Sequence, residues 1–183
     1  MLKKLLISLC LLATLMATNW EYTQNDLLSK EVKGFVEKTL EKKDLSYVPL
    51  EDLDTSKAVA GGSYFEIYHN DSLLGYFAYN RAAACRPGGC ASYDPSTNKD
   101  TYDPFYVGVI YNTEMKIQRV RILDYYSEYG LQITRKNWLK QFEQSNGCDI
   151  DEREAIDGVT GATISAKSLL DQLKGNCELL GSF

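Results

Sequence analysis

The sequence predicts an α+β fold in a single domain, a largely antiparallel sheet covered by helices. Aromatic and aliphatic residues alternate around short polar turns in the middle of the chain, helical spacing flanks them on both sides, and no linker divides the 183 residues. A chain of this length suits one domain and is long enough to bury a core. Strands grouped together, with helices before and after, form a single covered sheet rather than an alternating α/β array.

Residues 1–18 read as an export leader. Lys3 and Lys4 precede an apolar run from Leu5 to Ala17, broken only by Ser8 and Thr14, which is short for a membrane span. Cleavage is expected near Ala17 or Thr18, with an uncleaved membrane anchor as the alternative, and residues 19–183 form the domain. Cys10 lies inside the apolar run behind Ile7, Ser8 and Leu9, without the small-residue context of a lipoprotein cysteine. The first helix places Leu28, Val32, Phe35, Val36 and Leu40 at three-to-four spacing, with Asn25 positioned to cap it. Gly34 weakens that helix by roughly 1 kcal/mol relative to Ala, which packing can offset.

Tyr64 to Tyr68 and Leu74 to Tyr79 flank Asn70, Asp71 and Ser72, the pattern of an antiparallel hairpin. Arg86 to Pro104 is rich in Pro, Gly, Ser, Asn and Asp and reads as a long loop. Phe105 to Tyr111 and Val120 to Leu123 give two further strands around Asn112, Thr113 and Glu114. The inward phase changes between Ile117 and Val120, which predicts a bulge near Gln118. A helix then follows, capped by Thr134, with Trp138, Leu139 and Phe142 on one face and Asn146 and Gly147 at its end.

Composition removes several classes of function. The formal charge is −5, and with Lys3 and Lys4 gone the 20 basic residues fall to 18 against 25 acidic ones. No basic run interleaved with aromatics is present, so nucleic acid is not an expected partner. His69 is the only histidine and precedes a turn, and no Ser/His/Asp arrangement supports a hydrolase. The four cysteines beyond the leader, Cys85, Cys90, Cys148 and Cys177, lack the paired CxxC spacing of a zinc site, so no metal ligand is assigned. An even count in an exported chain makes disulfides the default. Four cysteines allow three pairings. The turn-rich Arg86 to Gly89 favours Cys85 with Cys90, which leaves Cys148 with Cys177, each expected just after a helix.

The stretch DGVTGATISAKSLLDQL, Asp157 to Leu173, carries the chemistry. Ile164, Leu169, Leu170 and Leu173 fall at helical spacing, while Ser165, Lys167, Ser168 and Asp171 can face water. A short helix is expected to begin at Thr163, which could cap it, with Gly158 and Gly161 allowing the chain before it to turn tightly. Unpaired amides and the helix dipole favour an anion at such a terminus by roughly 0.3–1 kcal/mol. Lys167, one turn on, could add charge.

Asp157 followed by Thr160, Gly161, Ala162 and Thr163 resembles the flavinylation motif, Dxx(S/T)GAT, of the FMN-binding domain family, and all five positions match. That family includes the FMN-carrying subunits of the sodium-pumping NADH:quinone reductase and of Rnf complexes. The resemblance extends roughly from Tyr64 to Leu173 and implies an α+β domain. It also implies that Thr163 is esterified with FMN by a flavin transferase, leaving a phosphoester, with Asp157, Thr160, Gly161 and Ala162 completing the recognition sequence. A second landmark of the family, a glycine-containing turn commonly written ETPGLG beside the flavin, falls here on SEYGLQ. Gly130 and Leu131 match; Ser127, Glu128, Tyr129 and Gln132 depart. Independently of the resemblance, Tyr125, Tyr126 and Tyr129 are candidate walls for an isoalloxazine ring, which needs an apolar slot with a few polar groups.

The resulting expectation is an exported, periplasmic or extracytoplasmic electron carrier. It would bear covalent FMN, accept electrons from one redox partner protein and pass them to another. The enzyme proper would then be a membrane respiratory complex or a soluble reductase, and no catalytic residue is assigned to this chain. Two other readings stand beside it. One is a disulfide-stabilised binding module without flavin that uses the Arg86 to Pro104 loop. The other is a flavin-dependent reductase acting directly on a small acceptor, although no GxGxxG nicotinamide fingerprint is present.

Overall fold

Among the described residues, five strands form one antiparallel sheet of order β1-β2-β3-β4-β5, so that every neighbour in sequence is also a neighbour in space. They are β1 (Ser46–Pro49), β2 (Ser63–His69), β3 (Ser72–Ala84), β4 (Asp103–Asn112) and β5 (Ile117–Tyr125). This computed structural model describes residues 28–51, 53, 62–84, 102–157, 159 and 161–181. The leader, Asn25, the Cys85 to Cys90 pairing and the loop up to residue 101 lie outside the described residues.

The hairpin between β2 and β3 turns at Asn70 and Asp71, with φ of 47° and 61°. Two consecutive left-handed residues match the twist of the strands, and Asn and Asp tolerate that conformation better than most side chains. Between β4 and β5, Asn112 Oδ1 accepts the N–H groups of Glu114 and Lys116 at 3.0 and 2.9 Å. Across this pair Ile110 faces Arg119 and Tyr111 faces Ile117, so Gln118 is the extra residue of a bulge, at the place the phase change predicts. A second bulge, at Leu123, separates the Tyr106–Asp124 and Val107–Ile122 pairs.

Strand alternation divides the core between the two faces of the sheet. Phe105, Val107, Val109 and Tyr111 pack on one face with the C-terminal helices, whereas Phe65, Ile67, Phe77 and Ile110 pack on the other with the N-terminal helix. That helix, α1, spans Lys30–Leu40 and is capped by Ser29, whose Oγ accepts the Val32 N–H at 3.3 Å. The start is therefore later than the Asn25 cap expected from spacing, because Leu28 is buried ahead of the helix rather than within it. Phe35 meets Phe77 edge-on at 6.5 Å, and the Arg121 guanidinium lies 5.5 Å from the centre of the Phe35 ring.

The helix expected after Thr134 is broken into three short pieces, 3₁₀ turns at Leu131–Thr134 and Lys140–Phe142 on either side of α2 (Lys136–Leu139). Thr134 does not cap it; its Oγ1 donates to the Leu131 carbonyl at 2.8 Å. The chain turns away after Phe142 because it pairs with the edge of β5: Gln144 N–H donates to the Ile117 carbonyl and Ile117 N–H to the Ser145 carbonyl, both at 2.8 Å. Trp138, Leu139 and Phe142 are buried as their spacing requires. Full burial of side chains of this kind contributes about 1.5–3 kcal/mol each.

Two further helices complete the chain, α3 (Glu152–Asp157) and α4 (Thr163–Leu180). The last helix is longer than expected, and Cys177 lies inside it rather than after it. Cys177 is bonded to Cys148 with Cα atoms 5.7 Å apart, closing a separation of 29 residues, as the second pairing anticipated. Loop closure of that length restrains the unfolded chain by about 3–4 kcal/mol in the chain-entropy model. Beneath α4, three buried side chains form a closed ring of hydrogen bonds. Tyr64 Oη donates to Asn176 Oδ1 at 3.1 Å, Asn176 Nδ2 to Asn80 Oδ1 at 2.9 Å, and Asn80 Nδ2 to Tyr64 Oη at 3.2 Å.

Burial also raises the phenol pKa of Tyr47 and of Tyr111, above the ordinary value of 10.0. A group that holds its proton more tightly when folded contributes stability that is fully present below the unfolded value and is lost as pH rises through the folded one. The protein is accordingly expected to be stable through neutral pH and to unfold in the alkaline range above about 10. Ionisation of the buried tyrosines, the last phase of the ultraviolet absorbance change, should coincide with loss of far-ultraviolet circular dichroism. Full phenol ionisation with retained structure would contradict this.

Candidate functional site

Residues 157–163 connect α3 to α4, and the described ones among them alternate between exposed and buried. Asp157, Gly161 and Thr163 are exposed, while Val159 and Ala162 are each 2% exposed. The two buried residues act as plugs: Val159 N–H donates to the Ile156 carbonyl at 2.9 Å and Ala162 N–H to the Val159 carbonyl at 3.0 Å. Gly161 has a φ of 83° with nothing within 4 Å of a Cβ built on it. Its requirement is thus conformational, a left-handed residue that lets the chain enter the helix. Gly158 and Thr160 lie outside the described residues.

Thr163 is the first residue of α4, as expected, but it does not cap the helix. Ala162 holds the cap position, and among the described residues no side chain caps the helix. The Thr163 side chain is therefore presented at the start of an 18-residue helix whose cap residue, Ala162, offers no side-chain acceptor. Lys167 is exposed one turn on, with its Nζ 3.4 Å from a Glu152 carboxylate oxygen. That contact ties α3 to α4 and offsets part of the charge Lys167 could offer an anion. Trp138 Nε1 adds a second restraint on α3, donating to the Ala155 carbonyl at 3.0 Å.

The turn after β5 meets the start of α4. Tyr125 Oη donates to the Tyr129 carbonyl and lies 2.9 Å from Ser165 Oγ, two residues beyond Thr163. Burial pushes the Tyr125 phenol up, with the Ser165 hydrogen bond acting in the opposite direction. Ser165, expected to face water, is only 1% exposed. Gly130 has a φ of 79°, and a Cβ there would lie 2.7 Å from Tyr125 Oη and 2.8 Å from Ser165 Oγ. Only glycine satisfies both the backbone conformation and the space. Around this buried point Tyr126, Tyr129 and Leu131 are exposed at 64%, 49% and 53%. Tyr125 itself is half-buried, its ring 5.3 Å from that of Phe105.

The structure thus brings Gly130 beside the first turn of the helix that begins at Thr163, through Tyr125 and Ser165. Sequence reading missed Val159 and Ser165. Ser165 carried no signal, since a serine on a helix face reads as solvent-facing unless its partner is known. Gly130→Ala is expected to cost about 2 kcal/mol from the left-handed backbone and the crowded Cβ together. For a domain of this size that lowers the thermal midpoint by roughly 4–8 °C. An unchanged midpoint would show that the turn relaxes freely.

The residues present fit a flavin mononucleotide by the chemistry of their groups. A hydroxyl is available for an ester, helix amides without a side-chain acceptor among the described residues and a lysine suit a phosphate, and exposed aromatic and aliphatic side chains beside a tight glycine turn suit a ring. Among the described residues, no group of three or more His, Cys, Asp or Glu side chains is placed to hold a metal ion. The model of the FMN-binding domain matches residues 102–175, from the start of β4 into α4. No curated protein sequence matches the chain. Residues 102–175 are thus similar to the FMN-binding domain, and this similarity supports FMN as the cofactor. The β2–β3 hairpin, within the span expected from the resemblance, lies outside the match but belongs to the same sheet.

Proposed function

We propose that this protein binds flavin and is an exported electron carrier whose FMN is held by a phosphoester to Thr163. The observation that carries the reading is the position of Thr163. It is exposed at the first residue of an 18-residue helix without a side-chain cap, inside the segment matched by the FMN-binding domain and at the last position of the DxxTGAT sequence. Asp157, Thr160, Gly161 and Ala162 would be read by a flavin transferase, and the exposure of Asp157 and Gly161 suits that role. Val159 and Ala162 hold the segment in place.

When bound, FMN supplies the redox chemistry by taking up and releasing electrons. The chain's own residues tether and orient. Thr163 provides attachment without taking part in electron transfer, Lys167 and the first-turn amides of α4 favour the phosphate, and Gly130 and Leu131 offer backbone and an apolar side chain to the ring. Export is supported by the basic-then-apolar leader and by the Cys148–Cys177 disulfide, since such bonds persist in oxidising compartments. A covalent link there prevents loss of the cofactor by dissociation. The redox partners would be proteins, among them a membrane respiratory complex.

The test is to coexpress the chain with a flavin transferase, denature it and measure its mass and visible absorbance. One FMN increment surviving denaturation, located on the peptide containing Thr163, is the expected result. A colourless chain, obtained where a control domain becomes labelled, would overturn the proposal.

A further inference from the structure

The Tyr125 phenol joins two segments far apart in sequence, the turn that bears Gly130 and the first turn of α4. One oxygen makes both contacts: it bonds the Tyr129 carbonyl and lies 2.9 Å from Ser165 Oγ. The direction of each bond follows from proton counting. A carbonyl oxygen only accepts, and a neutral phenol has one proton, so that proton goes to Tyr129. Ser165 must then donate its hydroxyl proton to Tyr125 Oη. The result is a directed relay, from Ser165 through Tyr125 to the Tyr129 carbonyl.

The geometry points to Tyr125 as a positioning residue that fixes the turn of Tyr129, Gly130 and Leu131 relative to the flavin-bearing end of α4. Three features support the role. Tyr125 is the last residue of β5 and is therefore anchored in the sheet, and its ring is held against Phe105, which is fully buried. Ser165 is buried on the same helical turn as exposed Thr163, so a contact to Ser165 constrains the tether without occupying it. Gly130 leaves no room for a side chain between the partners. The exposed Tyr129 and Leu131 side chains are consequently presented from a turn whose backbone is held from behind. A ring tethered at one end needs such a fixed surface at the other, because a tether alone leaves it free to rotate.

This role rests on the proposed attachment at Thr163, but its first test does not require flavin. In the full chain without cofactor, Tyr125→Phe should leave the fold intact and speed hydrogen exchange at residues 129–131 and 163–166 on the order of tenfold, as loss of about 1.4 kcal/mol of local restraint implies. Ser165→Ala should produce part of the same effect. The double variant should exchange no faster than Tyr125→Phe alone, because both side chains act through one oxygen. In the flavin-loaded protein, Tyr125→Phe should retain the covalent mass increment while flavin fluorescence anisotropy falls toward that of a freely rotating tethered group.

Unchanged exchange at both segments, or strictly additive effects in the double variant, would overturn the positioning role. Retained anisotropy in loaded Tyr125→Phe would do the same. Failure of the wild-type chain to load FMN would instead remove the attachment reading, with the exchange experiment still deciding whether Tyr125 couples the two segments.

Discussion

Thr163→Val is expected to yield a folded protein that carries no covalent flavin, a complete loss rather than a graded one. The substitution removes the hydroxyl needed for an ester and keeps nearly the same volume. Because Ala162, not Thr163, holds the cap position of α4, it does not remove a helix cap, which would cost about 1 kcal/mol. Thr and Val have similar helix propensities, and the position is exposed, so stability should stay within about 0.5 kcal/mol of the parent chain. The comparison is made on denatured protein after coexpression with the transferase. Flavin retained on the variant would place the attachment elsewhere; loss of flavin together with loss of fold would mean that Thr163 has a structural role the exposed side chain does not suggest.

Such a clean separation of chemistry from stability follows from how the segment is built. Buried Val159 and Ala162 fasten it, and exposed Asp157, Gly161 and Thr163 face outward. The exposed set was legible in the sequence because each member belongs to a short pattern with a fixed order. Buried Ala162 belongs to the same pattern, whereas Val159 was not legible, since a lone valine between Gly158 and Thr160 has no period to read. The same contrast holds for the fold. The hairpin at Asn70 and Asp71 and the bulge at Gln118 were visible because turn residues and changes of phase are local signals. The four-residue β1 and the extension of β3 to Ala84 were not, because Asn80 and Arg81 interrupt the apolar alternation and the partners that accommodate Asn80 lie elsewhere in the chain.

The polar residues of α4 show why periodicity alone could not resolve the site. Ser165 and Ser168 read as solvent-facing, yet Ser165 bonds Tyr125 and Ser168 Oγ accepts the N–H of Ala83 at 2.9 Å. Asn176, beyond the expected helix end, bonds Tyr64 and Asn80. These side chains lie within the packing between helix and sheet. A hydrophobic pattern records which side chains avoid water, whereas these avoid it by finding partners that are distant in sequence. The second landmark was legible at Gly130 for the opposite reason, since its glycine is demanded by its own backbone as well as by its neighbours.

Asn176→Leu is expected to produce the largest loss of stability, about 2–5 kcal/mol, because it removes one member of a closed ring in a buried setting. Asn176 is wholly buried, as is Asn80, and Tyr64 is 4% exposed. Leucine fills similar volume, so the cost is polar rather than a cavity: Tyr64 Oη loses the Asn176 acceptor and Asn80 Oδ1 loses the Asn176 donor. Each buried group deprived of a partner costs about 1–3 kcal/mol. Against the 5–15 kcal/mol typical of a folded domain, the loss is a large fraction of the whole. Urea unfolding should show a lower midpoint with an unchanged slope, as expected when the native and unfolded surfaces are preserved. The double substitution Asn80→Leu with Asn176→Leu should cost less than the sum of the two single changes, since removing both amides eliminates groups that either single change strands. Additive costs would show that the amides stabilise the packing of α4 on the sheet independently, and a loss below about 0.5 kcal/mol for Asn176→Leu would show that the strand side of the ring finds other partners.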